Sequence, residues 1–231
     1  MKILIVNGSP HGEGGVHNSL ICMLEKGLNE AGSDVGIITL NKIKVNPCLG
    51  CFSCWTRSPD KCVQKDDILK ILPRVAEADI LVLASPVYVD GVTGLMKNFM
   101  DRFIPLIKGR VELRKNHMRH VLRENVKRGK LLLLSASGFT ELDNFYPLVV
   151  HLKAASKNLG REYAGEILVP GGWYISQSKD AVERTLNIIT FAAVSLVNDG
   201  KVPLEVSEQL SAIVSRDEVL NAINSYFNQF E

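Results

Sequence analysis

The chain has 231 residues, of which 46% are hydrophobic and 23% charged, with a formal net charge of +2. These values are ordinary for a globular protein and exclude a disordered chain, a collagen-like fibre and a small disulfide-knotted domain. The near-zero charge argues against a dedicated nucleic-acid-binding protein, and no apolar stretch approaches the roughly 20 residues needed to cross a bilayer. The apolar N-terminal run is too short for a secretory signal, so we expect a cytoplasmic protein with no membrane or nucleic-acid partner.

Five short apolar runs predict β-strands. Most are continuously apolar instead of alternating, which is typical of strands buried on both faces of a parallel sheet. The runs are Ile3–Val6, Val35–Leu40, Ile80–Ala84, Leu131–Leu134 and Ile167–Val169. Amphipathic helical patterns lie between them, so the sequence predicts an α/β fold with helices on both faces of a doubly wound sheet.

We see no repeat and no linker, and we therefore expect a single domain over residues 1–231. Two inserts interrupt the alternation of strands and helices. One, at 44–65, carries four of the five cysteines, and the other, at 105–129, is rich in Lys, Arg and His.

The turn after the first strand, residues 8–19, is rich in glycine and ends with Asn18 and Ser19, where we expect the first helix to start. Glycine lets backbone N–H groups approach an anion, and a helix N-terminus favours a phosphate. The turn has neither the nucleoside-triphosphatase pattern nor the dinucleotide-binding pattern, and it contains no Lys or Arg. Its residues are equally compatible with a plain turn in which Asn18 or Ser19 caps the helix.

Two further loops follow the third and fourth predicted strands. The first begins Ser85-Pro86-Val87-Tyr88 and leads to Lys97 and Asp101-Arg102, and the second contains Ser135 to Gly138. Ligands of doubly wound folds bind at the carboxyl edge of the strands, where all three loops are expected. Together they predict a shallow slot with a phosphate end and a flat aromatic end. We interpret Lys97 and Arg102 as solvated charges on the third helix, and Tyr88 packing on the sheet remains an alternative.

In these pieces the sequence resembles the NADPH-dependent FMN reductases, a flavodoxin-like family that includes the iron–sulfur flavoproteins. The resemblance implies a five-stranded parallel sheet in the order 2-1-3-4-5, bound FMN and NAD(P)H as co-substrate. It also implies a shallow flavin slot that a second subunit completes, in a homodimer or homotetramer.

The resemblance implies a set of cofactor-binding residues. Ser9, Asn18 and Ser19 would bind the FMN phosphate, and His11 stands where an Arg is common in the family. Pro86, Val87 and Tyr88 would border the isoalloxazine, with Ser135, Ser137 and Gly138 at its far edge. Backbone N–H groups around 86–88 and 137–138 would stabilise the anionic reduced flavin.

The cysteines of the first insert are spaced Cys48-x2-Cys51-x2-Cys54-x7-Cys62. Four thiolates are the ligand set of a [4Fe–4S] cluster, and the spacing resembles that of the iron–sulfur flavoproteins. Two alternatives stay open: free thiols that line the approach to the flavin, or a structural zinc ion, although zinc usually takes two separated C-x2-C pairs. Cys22 is expected to be an ordinary buried residue of the first helix.

Residues 107–130 contain nine Lys or Arg and two Glu. The segment is interpreted as a solvated excursion or a subunit contact, with attraction of NADPH phosphates or an acidic redox partner as the functional alternative. His11, His17 and His151 have no spacing that indicates a metal site or a catalytic triad.

These expectations combine into an FMN-dependent oxidoreductase. Hydride would pass from NAD(P)H to the flavin, and electrons would then pass to a small-molecule or protein acceptor, with the cysteine cluster as one route. No side chain is assigned as a catalytic acid, base or nucleophile. The alternatives are a flavodoxin-type electron carrier, which the mildly basic charge balance disfavours, and a nucleotide-binding protein without redox activity.

Overall fold

A computed structural model of the protein describes residues 1–230. Seven β-strands occur in this part of the chain: β1 (Lys2–Asn7), β2 (Asp34–Thr39), β3 (Ile80–Ala84), β4 (Ile107–Arg114), β5 (His117–Leu122), β6 (Lys130–Ala136) and β7 (Glu162–Val169). Eight α-helices accompany them: α1 (Gly15–Glu30), α2 (Ile68–Glu77), α3 (Gly94–Asp101), α4 (Tyr146–Asn158), α5 (Gly172–Ile175), α6 (Lys179–Asp199), α7 (Glu205–Ser211) and α8 (Arg216–Phe227).

Five of the strands form a parallel sheet in the order β2-β1-β3-β6-β7. The order has the predicted arrangement, but the last two strands are sixth and seventh in the chain because a hairpin precedes them. In register, Ile3 of β1 lies between Val35 of β2 and Ile80 of β3. β1, β3 and β6 are almost wholly buried, as their continuous apolar runs predict.

Helices cover both faces of the sheet, as predicted. On one face α1, α6 and α7 enclose a core that includes Leu24, Ile189 and Leu210. α1 and α6 approach closely at Gly27, where an added Cβ would lie 2.8 Å from the Cβ of Ala193. On the other face α2, α3 and α4 enclose a second core, with Val75, Phe99 and Leu152 among its members.

The basic insert folds into an antiparallel hairpin of β4 and β5, which was not predicted. Lys115 and Asn116 form its tip, and both have positive φ. The cysteine insert contains a short 3-10 helix, Ser53–Trp55, but is otherwise irregular. The cysteine insert lies between β2 and α2, and the hairpin lies between α3 and β6. Neither insert interrupts the parallel sheet, so the doubly wound topology is preserved.

Candidate functional site

A cleft opens at the carboxyl edge of the sheet, where the loops after β1, β3, β6 and β7 meet. It is lined by many of the residues that the sequence nominates for flavin binding, namely Ser9, His11, Pro86, Val87, Tyr88, Ser137 and Gly138. The parallel sheet explains this convergence, because the carboxyl ends of neighbouring parallel strands lie at one edge.

The first loop is held in place by its own hydrogen bonds. The Asn7 side chain accepts from the Ser9 N–H (2.9 Å) and donates to the Gly12 carbonyl (2.9 Å). Ser9 is buried, and its Oγ accepts from the His11 N–H at 3.3 Å. The loop is therefore shaped before any ligand arrives.

The first helix begins earlier than predicted. α1 starts at Gly15, so the unpaired N–H groups of its first turn belong to residues 15–17. These residues line the glycine-rich end of the cleft together with Gly14. Such an end favours an anion through its N–H donors and the helix dipole.

Three nominated residues are absent from the cleft lining among residues 1–230. Asn18 lies inside α1, and its amide approaches the Cys22 sulfur at 3.7 Å. Ser19 is exposed on the same helix, and Ser135 is fully buried behind the cleft. Cys22 is exposed, so its predicted burial was wrong.

Buried hydroxyl groups join the three loops beneath the cleft. The Ser135 Oγ donates to the Ser85 carbonyl at 2.7 Å, and the Ser85 Oγ accepts from the Thr93 N–H at 3.1 Å. The Thr93 Oγ donates in turn to the Gly8 carbonyl at 2.6 Å. This chain fixes the loops after β1, β3 and β6 relative to one another.

The structure adds two side chains that sequence reasoning missed. Trp173 lines the cleft from the loop after β7, and the signal for it was its place just after the fifth strand of the sheet. His17 is buried at the cleft, and neither ring nitrogen finds a hydrogen-bond partner within residues 1–230. Burial lowers the pKa of His17 to about 4, although the nearby Ala84 carbonyl acts in the opposite direction.

All four cysteines of the first insert line one mainly apolar cavity, together with Leu49, Phe52 and Val63. Cys54 is buried, Cys62 is half-buried, and Cys48 and Cys51 are exposed. Burial raises the pKa of the Cys54 thiol, and the charges of the other three thiolates raise it further.

Within residues 1–230, no three His, Cys, Asp or Glu side chains converge as ligands of a single metal ion. A four-iron cluster has a different requirement, since it spreads its four cysteines over four iron atoms. The number, type and shared cavity of the thiols fit such a cluster.

Arg102 is buried, and its interpretation as a solvated charge was wrong. Its side chain is 1% exposed and forms an ion pair at 2.6 Å with Asp66, whose side chain is also inaccessible to solvent. Burial opposes ionisation of Asp66, but the hydrogen bonds that it receives from Arg102 and the Asn46 N–H outweigh this effect and lower its pKa. Lys97, by contrast, forms an exposed pair with Asp101, as expected.

The hairpin packs against the cysteine insert through Trp55. Its ring stacks on Phe52 and packs at a tilt against His120, and its indole N–H donates to the Ile104 carbonyl at 3.2 Å. The basic insert is therefore partly anchored and not wholly solvated. None of the helices in the described part of the chain combines the length and apolar character needed to cross a membrane.

Comparisons with known proteins find relatives that share sequence with this chain. An iron-sulfur flavoprotein of Archaeoglobus fulgidus is 33% identical over 129 residues, which cover 56% of this chain and 62% of the relative. An iron-sulfur flavoprotein of Methanocaldococcus jannaschii is 38% identical over 108 residues, which cover 46% of this chain and 53% of the relative. The chain thus spans about half to three-fifths of the length of these curated relatives.

Solved structures share the fold at low sequence identity. An FMN-dependent NADH-azoreductase from Bacillus anthracis, in complex with FMN, superimposes with a TM-score of 0.63 at 17% identity, covering 85% of this chain and 99% of that one. An NAD(P)H:quinone oxidoreductase from Methanothermobacter marburgensis gives 0.61 at 16% identity, with 84% and 95% covered.

The sequence pattern of one protein family matches more than half of the chain. The family is described as NADPH-dependent FMN reductase, and the match runs over residues 1–126, from β1 through the cysteine insert and the hairpin. The chain therefore belongs to the NADPH-dependent FMN reductase family.

Proposed function

We propose that this chain is an FMN-dependent oxidoreductase that takes hydride from NAD(P)H and delivers electrons to a small-molecule or protein acceptor through a [4Fe–4S] cluster. The observation that carries the proposal is the meeting of the loops after β1, β3 and β6 in one cleft, with the N-terminus of α1 at one end. Bound FMN would supply the exchange between two-electron and one-electron chemistry, while the protein binds and orients it.

The phosphate of FMN would lie at the glycine-rich end of the cleft. The loop offers only neutral donors, because residues 8–19 contain no Lys or Arg. The N–H groups of residues 15–17 and the positive end of the α1 dipole favour a dianion there. Ser9 and His11 line this end, and we leave Asn18, Ser19 and Ser135 out of the proposed contacts.

The ring of FMN would lie between the loops after β3 and β6. Pro86, Val87 and Tyr88 offer apolar and aromatic surface on one side, and Ser137 and Gly138 border the other. Trp173 adds a second aromatic surface. A flat apolar slot with a few polar groups suits an aromatic ligand.

Fewer backbone N–H groups can donate to the reduced flavin ring than the sequence suggested, because several of them already donate to other carbonyls. The Val87, Tyr88 and Ser137 N–H groups already donate to the carbonyls of Ala136, Gly91 and Val169. Pro86 has no N–H, and the Gly138 N–H donates to no acceptor within residues 1–230. Gly138 therefore remains as the donor that would stabilise negative charge on the reduced ring.

Cys48, Cys51, Cys54 and Cys62 would hold the cluster. Their common cavity supports this proposal, and their spacing differs from the two separated C-x2-C pairs that a structural zinc ion usually takes. The neighbouring apolar side chains would limit access of water to the sulfurs.

We also propose that a second copy of the chain completes the flavin site. The cleft is open, and its rim exposes apolar side chains, with Val89 wholly exposed and Phe139 63% exposed. Exposed apolar surface around a ligand cleft is typical of an interface. Light scattering of the FMN-loaded protein measures this, and a monomer at micromolar concentration would contradict it.

Two measurements test the flavin and the cluster separately. Trp55 and Trp173 are the two tryptophans of the chain, so Trp55→Phe leaves Trp173 as the reporter in the cleft. Added FMN should quench its emission to saturation at one FMN per chain, whereas Trp173→Phe should show a weaker response. Absence of saturable quenching would contradict FMN binding.

Anaerobic purification followed by iron and sulfide assays tests the cluster. We expect four iron and four sulfide per chain, and a substantial loss of iron in Cys51→Ser but not in Cys22→Ser. Flavin absorption without iron would remove the cluster and leave free thiols.

Rapid NAD(P)H oxidation by the holoprotein would exclude a flavodoxin-type carrier, whereas a colourless protein that does not bind FMN would favour a binding protein without redox activity.

A further inference from the structure

We infer that Arg102 is a positioning residue for the cysteine site, where it holds the Cys62 sulfur by an N–H···S hydrogen bond while Asp66 neutralises its charge. This inference rests on the proposed cluster function. It concerns a residue that does not line the FMN cleft, at the C-terminal end of α3, and whose role the sequence did not indicate.

The contacts of the guanidinium group carry the inference. One edge pairs with Asp66, with Nη1 2.6 Å from Oδ2 and Nη2 3.0 Å from Oδ1. Nη2 also lies 3.2 Å from the Cys62 Sγ, and Nη1 donates to the Asn46 carbonyl at 2.7 Å. One buried group thus binds the cysteine insert at both of its ends.

The contacts between Arg102 and Asp66 explain how two charged side chains can be shielded from solvent here. A buried charge without a partner is strongly unfavourable, whereas a bidentate Arg–carboxylate pair with further hydrogen bonds is tolerated. Asp66 also accepts from the Asn46 N–H at 2.9 Å, so its oxygens are well satisfied. The pair therefore brings an N–H donor to a sulfur without leaving net charge in the interior.

The geometry of arginine matters for this task. Its planar guanidinium fork donates hydrogen bonds to the carboxylate, the carbonyl and the sulfur in fixed directions, whereas a lysine ammonium is a single point charge on a flexible chain. A hydrogen bond to a cluster-ligating sulfur withdraws negative charge from it and favours the reduced cluster. Arg102 should therefore make the reduction potential of the cluster more positive.

The test compares variants of the whole protein, reconstituted anaerobically with iron and sulfide. Arg102→Met combined with Asp66→Asn removes the donor without leaving a buried charge, and similar replacements of buried ion pairs are often neutral for stability. Arg102→Lys keeps the positive charge but loses the fork. Lys97→Met is the matched control, because it removes an exposed cation from the same helix.

The measurement is the midpoint potential of the cluster, followed by its electron paramagnetic resonance signal, together with iron and FMN content. We expect the double variant to lose at least tenfold in the one-electron reduction equilibrium, about 59 mV toward more negative potential. Arg102→Lys should shift in the same direction, and Lys97→Met should match the wild type. Loss of iron with retained FMN in the double variant would also support the inference.

The possible failures are distinguishable. A wild-type protein that binds FMN but no iron overturns the proposed cluster, and this inference with it. A wild-type cluster whose potential and signal are unchanged in the double variant overturns the role of Arg102 alone. If the double variant does not fold, Arg102→Lys decides, since a wild-type potential in that variant would show that the fork is not needed.

Discussion

The indole of Trp55 packs against the imidazole of His120, with ring centroids 4.6 Å apart and ring planes inclined by 39°. Trp55 belongs to the cysteine insert and His120 to β5 of the hairpin, so the contact joins the two inserts of the fold. The His120 Nδ1 lies 2.9 Å from the Lys108 carbonyl, which fixes the imidazole ring within the hairpin.

This contact predicts that His120→Ala destabilises the protein. The variant loses an aromatic pair and a hydrogen bond, so we expect the free energy of unfolding to fall by about 1–2 kcal/mol. Urea unfolding followed by circular dichroism measures it. His117→Ala is the control, because His117 is exposed at the start of the same strand. Equal effects of the two variants would show that the Trp55 contact is not stabilising.

Arg161 makes a second prediction about stability. Its guanidinium is buried and donates to the carbonyls of Val75 (2.6 Å) and Ala78 (3.0 Å), at the C-terminal end of α2. Burial lowers the pKa of Arg161 to about 10, with Asp79 acting in the opposite direction. Arg161→Met removes the donor to these two carbonyls, and we expect a loss of about 3 kcal/mol in the free energy of unfolding.

The control for Arg161 is Arg184→Met. The Arg184 side chain is 49% exposed, and its contacts to the carbonyls of Ile213 and Ala212 are long, at 3.4 and 3.5 Å. Its loss should change stability by less than about 0.5 kcal/mol. A loss of similar size for both variants in urea unfolding would refute the role assigned to the buried carbonyl contacts.

The parallel sheet was predictable because burial on both faces leaves a continuous apolar run, as in Ile80–Ala84. The hairpin was missed because its strands alternate Val111 and Leu113 with charged residues, and the alternation was hidden by the overall basic composition. Its turn, at Lys115 and Asn116, also lacks the glycine that usually signals a tight hairpin.

The sequence predicted the loops that form the cleft, but not all of the residues that line it. Glycine at 14 and 15 obscured the start of α1, so Asn18 and Ser19 were expected at the start of the helix but are its fourth and fifth residues. Arg102 could not be interpreted correctly because its partner Asp66 lies 36 residues away in the sequence. Burial of a charge depends on such a partner, and spacing along the chain does not indicate it.

Gly138 predicts how the FMN cleft can be closed without harm to the fold. It lines the cleft, and a Cβ added there would meet no atom of residues 1–230 within 4 Å. Gly138→Leu should therefore place its side chain in the open cleft, weaken FMN binding at least tenfold and leave the unfolding temperature of the apoprotein unchanged. Fluorescence titration with FMN measures this effect.

Gly94→Leu provides the matched control. An added Cβ at Gly94 also meets no described atom within 4 Å, but this residue does not line the cleft. We expect FMN affinity close to the wild type. Unchanged affinity in Gly138→Leu would mean that the flavin does not occupy this part of the cleft.

Val89 predicts a gain in stability. Val89 and Asp90 are the central residues of a tight turn, closed by two hydrogen bonds between Tyr88 and Gly91. Both have positive φ, which is strained for a β-branched side chain, and Val89 is fully exposed. Val89→Asn should raise the free energy of unfolding by about 1 kcal/mol, because asparagine tolerates this backbone conformation.

Val89→Ala separates the strain from the loss of an apolar surface. Alanine removes the β-branch but lacks the short polar side chain with which asparagine can hydrogen-bond locally in the left-handed conformation, so we expect a smaller gain than with asparagine. Thermal unfolding of the three proteins gives the order. If Val89→Asn were no more stable than the wild type, the turn would not store strain at this residue.

His17 predicts how stability depends on pH. Burial lowers the pKa of the folded protein's His17 to about 4, from the ordinary value of 6.5 that applies in the unfolded chain. Above pH 6.5 both states are neutral at this residue, so it adds no pH dependence. Between pH 6.5 and 4 the unfolded chain binds a proton that the folded protein does not, and stability falls by about 3 kcal/mol in total.

His17→Leu removes the imidazole that takes up this proton, so the free energy of unfolding should depend less on pH between 6.5 and 4. Urea unfolding of both proteins from pH 7.5 to pH 4 gives the difference in unfolding free energy, in which titrations shared by the two proteins cancel. We expect the difference to be constant above pH 7 and to move by about 3 kcal/mol in favour of the variant as the pH falls to 4. His11→Gln, which replaces an exposed imidazole at the cleft, controls for the loss of any histidine. Parallel profiles for the wild type and His17→Leu would show that His17 is protonated in the folded protein as readily as in the unfolded chain.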